Sequence, residues 1–253
     1  MASKIYVETS VVVCASLGGM LGGKPVKHDR YDATYNFLQY AELDYSQGKK
    51  HFFTTPTVAR EANRVMEKAV NGLLASRLPK LWKKGKREKM VNAEKFYILL
   101  TECTDHLDSW LSYLKVETFD SRKKEEIADA LREQFRTMDI DFHKRCPMDL
   151  NQFVLSTLNK GLRSVSKAIW TGQRKEILEE YKPHHGRNDI EIMAEIICIN
   201  PRGGNDVYIV SEDRHFYAKL SREMIETVYG PKCRRAYQML EGKLIRKLMQ
   251  DAA

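Results

Sequence analysis

The sequence lacks any hydrophobic run long enough to cross a membrane. No stretch approaches about 18 consecutive apolar residues, which excludes a membrane-spanning helix. The first five residues lead directly into a predicted core strand, without the basic, apolar and small-residue sections of a signal peptide. We therefore expect a cytoplasmic protein with no membrane partner.

Cysteine, glycine and proline are also sparse. The five cysteines are widely scattered and form no CxxC pair, which excludes a disulfide framework and a zinc ribbon. With 14 glycines and 7 prolines in 253 residues, the chain is neither fibrous nor of low complexity. A hydrophobic share of 43% is too high for a disordered chain. The length suits one large domain, or one domain that carries an insertion.

The charge balance is basic, with 42 Lys and Arg against 34 Asp and Glu, which gives a formal net charge of +8. Such a surplus favours an anionic partner, above all a nucleic acid. The same charge is also ordinary for the solubility of a chain of this length. The location of the basic residues therefore matters more than their total.

The start of the chain alternates between strand and helix patterns. Residues 5–7 and 11–13, separated by three polar residues, predict a short buried strand, and the glycines from 18 to 23 predict a loop. Helical spacing of apolar residues predicts a helix over 31–45, and 51–54 predicts a second strand.

Thr55 and Pro56 are the expected N-cap and first residue of the helix that follows. From Glu67 to Tyr181 the patterns are almost entirely helical. Strand character returns at 207–210, with a weaker pattern at 225–229, and an amphipathic helix closes the chain. This order predicts an α/β core with a parallel sheet.

Four acidic residues occupy positions just after predicted strands or near the start of predicted helices. They are Glu8, Glu61, Asp189 and Asp213. Working sites in open parallel sheets lie at the carboxyl ends of the strands, where such residues converge if their strands are neighbours. Several carboxylates in one place repel each other, and a divalent cation relieves that repulsion. Mg²⁺ and Mn²⁺ prefer oxygen ligands, and they activate water and neutralise charge in phosphodiester hydrolysis.

Four segments that contain these acids resemble the signature blocks of PIN-domain ribonucleases. The segments are 5–10, 55–61, 188–189 and 207–216. In that family the blocks read as a strand followed by Asp and Thr or Ser, a helical Glu, an Asp that opens a helix, and a strand followed by Thr/Ser-x-Asp-x-x-Phe.

The resemblance implies a Rossmann-like three-layer α/β/α fold with a central parallel sheet, and the helical patterns between its blocks predict an inserted helical region. Residues 1–66 and 182–253 would form the PIN-like nuclease core, and 67–181 the insertion, which would act as a cap or a substrate-recognition region. It also implies an endoribonuclease that hydrolyses RNA with Mg²⁺ or Mn²⁺. The metal ligands and catalytic residues would be Glu8, Glu61, Asp189 and Asp213, assisted by Ser211. The resemblance leaves open a homodimer and a protein partner bound through the insertion.

Two features depart from the family pattern. Glu8 stands where the family normally has Asp, and its additional methylene group shifts the carboxylate oxygens. The insertion makes the chain about twice as long as the bare family core, and the resemblance does not extend to it. These departures keep open a catalytically inactive PIN-like module that binds RNA or protein. A toxin ribonuclease of a toxin–antitoxin pair is a narrower alternative, and the length argues against it.

Each acid also has a purely structural interpretation. Glu8 could cap the turn after its strand, Asp189 could be a helix N-cap, and Asp213 could be an ordinary turn residue. Glu61 is the most informative, because an acid among apolar helix neighbours is seldom buried without a partner.

Basic residues form two clusters that could contact RNA phosphates. The first surrounds Trp82, an aromatic residue that could stack on a base. The second precedes Asp189 and also contains Lys182. The candidate contacts are Lys83, Lys84, Lys86, Arg87, His185 and Arg187. Both clusters could equally be solvated surface.

Overall fold

The structure is a computed structural model that describes residues 3–20, 30–77, 86–145, 179–182, 185–201, 206–242 and 245. The chain divides into two compact units. The sheet unit comprises Met1–Thr118, Asp206–Glu212 and Arg234–Ala253. The helical unit comprises Phe119–Asn205 and Asp213–Cys233.

A five-stranded parallel sheet has the order β3-β2-β1-β4-β5. The strands are β1 (Lys4–Val7), β2 (Phe52–Thr54), β3 (Lys115–Val116), β4 (Val207–Val210) and β5 (Lys232–Arg234). The central strand β1 pairs in parallel with β2 on one side and with β4 on the other. This sheet, together with many helices, confirms the predicted α/β class.

The described α-helices follow in chain order. They are α1 (Thr9–Met20), α2 (Arg30–Ser46), α3 (Pro56–Arg77), α4 (Lys86–Ser112), α5 (Ser121–Arg145), α6 (Arg187–Ile199), α7 (Arg214–Tyr217), α8 (Lys219–Met224) and α9 (Ala236–Glu241). No helix in the described ranges is both long enough and apolar enough to span a bilayer.

Helix α1 corrects the sequence prediction for the first forty residues. Val11–Val13 were expected in a strand, and Gly18 in a loop, but both lie in α1. The side chains from 11 to 17 are all buried, and α1 packs on α2, α3 and α4. A Cβ atom at Gly18 would lie 2.8 Å from the carbonyl oxygen of Tyr31, so this glycine permits the close approach of α2.

The predicted helices after β1 and β2 are confirmed as α2 and α3. Helix α2 buries Phe37, Leu38 and Ala41. Helix α3 starts at Pro56 as predicted, and the Thr55 hydroxyl accepts a hydrogen bond from the amide of Val58 at 3.4 Å. Both helices contribute buried residues to the hydrophobic core that also contains Ile5 of β1 and Phe52 of β2.

The middle of the chain contains one strand that the sequence did not predict. The two-residue strand β3 pairs with β2 and lies inside the predicted insertion 67–181. The sheet unit extends to Thr118, so the compact units divide the chain elsewhere than at residues 67 and 181. That residues 67–181 form an insertion with a role of its own, separate from the nuclease core, stays a prediction.

The helical unit is built on the packing of α5 against α6. Helix α5 buries Leu131 and Phe135, and α6 buries every residue from Ile190 to Ile197. The weak strand prediction at 225–229 is wrong, because Ile225–Tyr229 forms a π-helical segment. That segment ends at Gly230, whose φ of 95° favours glycine.

Candidate active site

Glu8 lies at the carboxyl end of β1, where its backbone amide donates to the carbonyl of Val210 at 3.0 Å. Its side chain is 4% exposed. Oε2 of Glu8 accepts hydrogen bonds from the Ser10 amide at 2.9 Å, from the Ser211 hydroxyl at 3.0 Å and from the Ser10 hydroxyl. Glu8 therefore caps the first turn of α1, which is the structural role that the sequence left open.

The strands that carry Glu8 and Ser211 are neighbours at the point where the strand order changes direction. The chain continues from β1 to β2 on one side, and β4 lies on the other. Open α/β sheets bind ligands beyond the carboxyl ends of strands at such a switch point. Glu8 and Ser211 occupy this position within the sheet unit.

Glu61 is held by the first residue of α1. Its Oε1 accepts a hydrogen bond from the Thr9 hydroxyl at 2.6 Å, and its Oε2 lies 4.0 Å from Nη2 of Arg64. Thr9 therefore binds the side chain of Glu61, and the next residue, Ser10, binds the side chain of Glu8.

Glu212, between Ser211 and Asp213, is a buried acid that the sequence analysis did not single out. Its Oε2 accepts two hydrogen bonds from the guanidinium of Arg235, at 2.9 and 2.6 Å. Its Oε1 accepts from the Ala236 amide at 3.0 Å. The partners are 23 residues apart in sequence, so no local pattern could have indicated this ion pair.

Asp189 and Asp213 both lie beside His215 in the helical unit. Nδ1 of His215 is 2.7 Å from Oδ2 of Asp189 and 3.4 Å from Oδ1 of Asp213. Asp189 lies at the third position of α6, where it also accepts from the Gly186 amide at 2.9 Å. Asp213 is the N-cap of α7 and accepts from the His215 amide at 2.9 Å. Both aspartates therefore have helix-capping roles as well as a shared neighbour.

The Asp213 carboxylate forms an ion pair with Lys182. Nζ of Lys182 donates to Oδ1 of Asp213 at 3.0 Å. Burial raises the pKa of Asp213, but the His215 amide, the His215 ring and then Lys182 lower it, and the net pKa lies below the usual value. The carboxylate of Asp213 is therefore ionised at neutral pH.

His215, which lies beside both aspartates, is 8% exposed. Within the described residues, neither ring nitrogen has an aligned hydrogen-bond partner, and Nδ1 lies within 4 Å of both aspartate side chains. Nη1 of the adjacent Arg214 is also buried without such a partner. Buried polar groups without partners often mark a site for water, an ion or a ligand.

The rings of Phe135, Tyr181 and His185 lie close to this group. His185 stacks on Phe135, and its Nε2 lies 3.1 Å from the carbonyl oxygen of His215. The Tyr181 hydroxyl donates to Asp139, and burial followed by this hydrogen bond places the pKa of Tyr181 well above its usual value. These contacts join Tyr181 to Asp139, and His185 to Phe135 and to the backbone of His215.

Asp189 and Asp213 supply carboxylate oxygens, which are the ligands that Mg²⁺ and Mn²⁺ prefer, but their neighbours in the helical unit are the His215 ring and the Lys182 ammonium. Within the described ranges, no group of three or more His, Cys, Asp or Glu side chains is arranged to hold a metal ion. That all four predicted carboxylates share one ion stays a prediction.

The candidate RNA-contacting residues lie in several places along the chain. Lys83 and Lys84 lie outside the described residues, and Lys86 and Arg87 begin α4. Arg187 is exposed and forms an ion pair with Glu191 at 2.8 Å, whereas His185 lies in the ring stack. Contact with RNA stays a prediction for each of them.

Comparison with protein-family models, with curated proteins and with solved structures finds no match to this chain.

Proposed function

We propose that the chain is a PIN-like endoribonuclease that hydrolyses RNA phosphodiester bonds with Mg²⁺ or Mn²⁺. The observation that carries the proposal is the convergence of two carboxylates, those of Asp189 and Asp213, on Nδ1 of His215. Asp213 also forms an ion pair with Lys182. The parallel sheet, with Glu8 and Ser211 at its switch point, gives further support.

In this proposal Asp189 and Asp213 are carboxylates that hold the divalent ion, and Glu8 and Glu61 are the remaining members of the predicted set. A bound divalent ion would supply Lewis acidity and charge neutralisation for phosphodiester hydrolysis. Asp213 stays ionised at neutral pH because its pKa is lowered by the His215 amide and ring and by Lys182, which outweigh burial. Asp189 is fixed in place by the Gly186 amide.

Ser211 has a positioning role in the sheet unit. Its hydroxyl and that of Ser10 both donate to Oε2 of Glu8, so they fix this carboxylate oxygen. The basic residues near Trp82 would contact the RNA backbone, and their contacts would weaken with salt.

A catalytically inactive module that binds RNA or protein is the second candidate, and one observation favours it. Every predicted acid has a structural partner inside the chain: Glu8 and Asp213 cap helices, Glu61 binds Thr9, and Asp189 contacts Gly186. Such an arrangement is stable without a metal, as a binding module requires.

Cleavage of labelled single-stranded and hairpin RNA by the full chain separates the two candidates. We expect cleavage with Mn²⁺ or Mg²⁺, none in excess EDTA, and loss of cleavage in Asp213→Asn. Glu223→Gln is the control, since it removes an exposed acid of the same unit. RNA binding without cleavage, together with no thermal stabilisation by Mn²⁺, would favour the inactive module. Undiminished cleavage in EDTA would reject the metal-dependent mechanism.

A further inference from the structure

The guanidinium of Arg235 is fixed next to the switch point of the sheet. It donates two hydrogen bonds to the buried carboxylate of Glu212. The amide of Glu212 donates to the Ser10 hydroxyl at 2.9 Å, and Ser10 also binds Oε2 of Glu8. A continuous set of hydrogen bonds inside the sheet unit therefore connects Arg235 to the carboxylate at the end of β1.

The ring of Tyr237 lies against this fixed guanidinium. The guanidinium carbon of Arg235 is 5.1 Å from the centroid of the Tyr237 ring, which is within the range of a cation–π contact. Ala236 and Met239, on the same helix α9, are buried in the hydrophobic core, whereas Tyr237 is 39% exposed. The ring is thus supported by an arginine and remains accessible from solvent.

A tyrosine in this setting fits an unpaired nucleic-acid base. Single-stranded RNA presents unstacked bases, and each of them has a face that stacks on an aromatic side chain. Since Arg235 and Glu212 already hold the Tyr237 ring, little side-chain freedom is lost when a base binds to it.

Arg30 supplies a second positive charge in the sheet unit. It begins α2, which packs on α9, and its side chain is exposed. The pKa of Arg30 lies above its usual value, mainly because Nη2 donates to the Tyr31 hydroxyl at 3.1 Å, and the charge of Glu212 raises it further. Glu212 is already bonded to Arg235, so the charges of the two arginines exceed that of this carboxylate. A positive surplus of this kind attracts phosphate.

We propose that Tyr237 and Arg30 form a subsite for single-stranded RNA, in which a base stacks on Tyr237 and Arg30 binds a phosphate of the same strand. The inference rests on the proposed function and adds to it a place where the substrate strand is held close to the Glu8 carboxylate. The subsite requires no metal ion, so its binding can be measured under conditions in which the RNA is not cleaved.

Fluorescence measurements on the full chain in EDTA test the stacking. A single-stranded RNA with a terminal dye and one 2-aminopurine base reports affinity by anisotropy and stacking by quenching of the 2-aminopurine. Tyr237→Leu should weaken binding about five- to thirtyfold, as expected from the loss of one base–aromatic stack, and should reduce the quenching. Tyr237→Phe keeps the ring and should bind RNA like the wild type.

The salt dependence of binding tests the arginine separately. In a plot of log affinity against log salt concentration, Arg30→Gln should make the slope shallower by about 0.7, because one phosphate contact to a single strand is lost. Tyr237→Leu should leave this slope unchanged, since it removes no charge. Tyr97→Leu, which removes an exposed tyrosine of α4, is the control and should change neither affinity nor slope. Thermal melting shows that each variant is folded.

The outcomes separate the subsite from the proposed function. An unchanged RNA affinity in Tyr237→Leu, or an unchanged slope in Arg30→Gln, would overturn the subsite, while Mn²⁺-dependent cleavage by the wild type would still support the proposed function. If sedimentation shows that Tyr237→Leu loses self-association at unchanged RNA affinity, the ring belongs to a contact between copies of the chain and the subsite is wrong. Tyr237-dependent RNA binding by a chain that never cleaves RNA would support the subsite and favour the inactive module. A wild type that neither binds nor cleaves RNA would reject both.

Discussion

The imidazole of His185 stacks on the ring of Phe135, with centroids 3.6 Å apart and planes 18° from parallel. Burial, together with the nearby His215, lowers the pKa of His185 to about 4 from its usual 6.5. His185 is therefore neutral in the folded protein at a pH where it is protonated in the unfolded chain.

This difference in pKa makes stability depend on pH. The contribution of His185 is complete above its unfolded pKa and is lost as the pH falls from 6.5 toward 4, because only the unfolded state binds the proton. Near pH 5 the free energy of unfolding should be lower than at neutral pH by about 2 kcal/mol because of His185. Urea unfolding near pH 7.5 and near pH 5 measures it, with His185→Gln as a non-titrating control. An equal loss in the wild type and in His185→Gln would contradict this assignment.

Two glycines in helices should respond oppositely to alanine. Gly18→Ala places a Cβ 2.8 Å from the backbone oxygen of Tyr31, and we expect a loss of about 1–3 kcal/mol in unfolding free energy. Gly72→Ala in α3 meets nothing within 4 Å, and its better helix propensity should add about 0.5–1 kcal/mol. Urea titration of both variants checks the pair, and stabilisation by Gly18→Ala would show that α1 and α2 are not in close contact.

Removal of the buried Glu8 carboxylate should destabilise the sheet unit. Glu8→Ala leaves the Ser10 amide and the Ser10 and Ser211 hydroxyls without their acceptor, at a cost of about 2–3 kcal/mol. Glu8→Gln retains an acceptor oxygen and should lose less. Equal unfolding free energies for Glu8→Ala and the wild type would show that Glu8 does not cap α1.

The Glu212–Arg235 pair should show strong coupling. The Glu212 side chain is 1% exposed, so Arg235→Met leaves a buried charge and should cost about 2–3 kcal/mol. Replacement of both residues by Met should cost less than the sum of the two single changes. Arg136→Met, which breaks an exposed pair with Glu133, serves as the control and should leave stability essentially unchanged. A double variant whose loss of unfolding free energy equals the sum of the two single losses would contradict the buried ion pair.

Helices with a clear apolar face were predictable, whereas α1 and β3 were not. Helices α2 and α3 have clear apolar faces, and α3 has the Thr55-Pro56 start signal. Helix α1 is buried over seven consecutive residues, so it shows no helical periodicity, and its valines resemble a strand. Gly18 suggested a loop although its function is close helix packing. The two residues of β3 are too few for any periodic pattern.

The candidate site was predictable only as far as single residues and their positions after strands. The sequence placed Glu8 after β1 and Asp213 shortly after β4, and the strands confirm both positions. It could not show that Lys182 reaches Asp213, or that His215 lies beside Asp189, because these contacts join residues that are far apart in sequence.

A crystal structure of the full chain soaked in Mn²⁺, with anomalous diffraction data, tests the central claim most directly. Asp189 and Asp213 are the carboxylates proposed to hold the ion. We predict an anomalous peak at these two aspartates. Saturating Mn²⁺ that leaves no peak there would contradict the account.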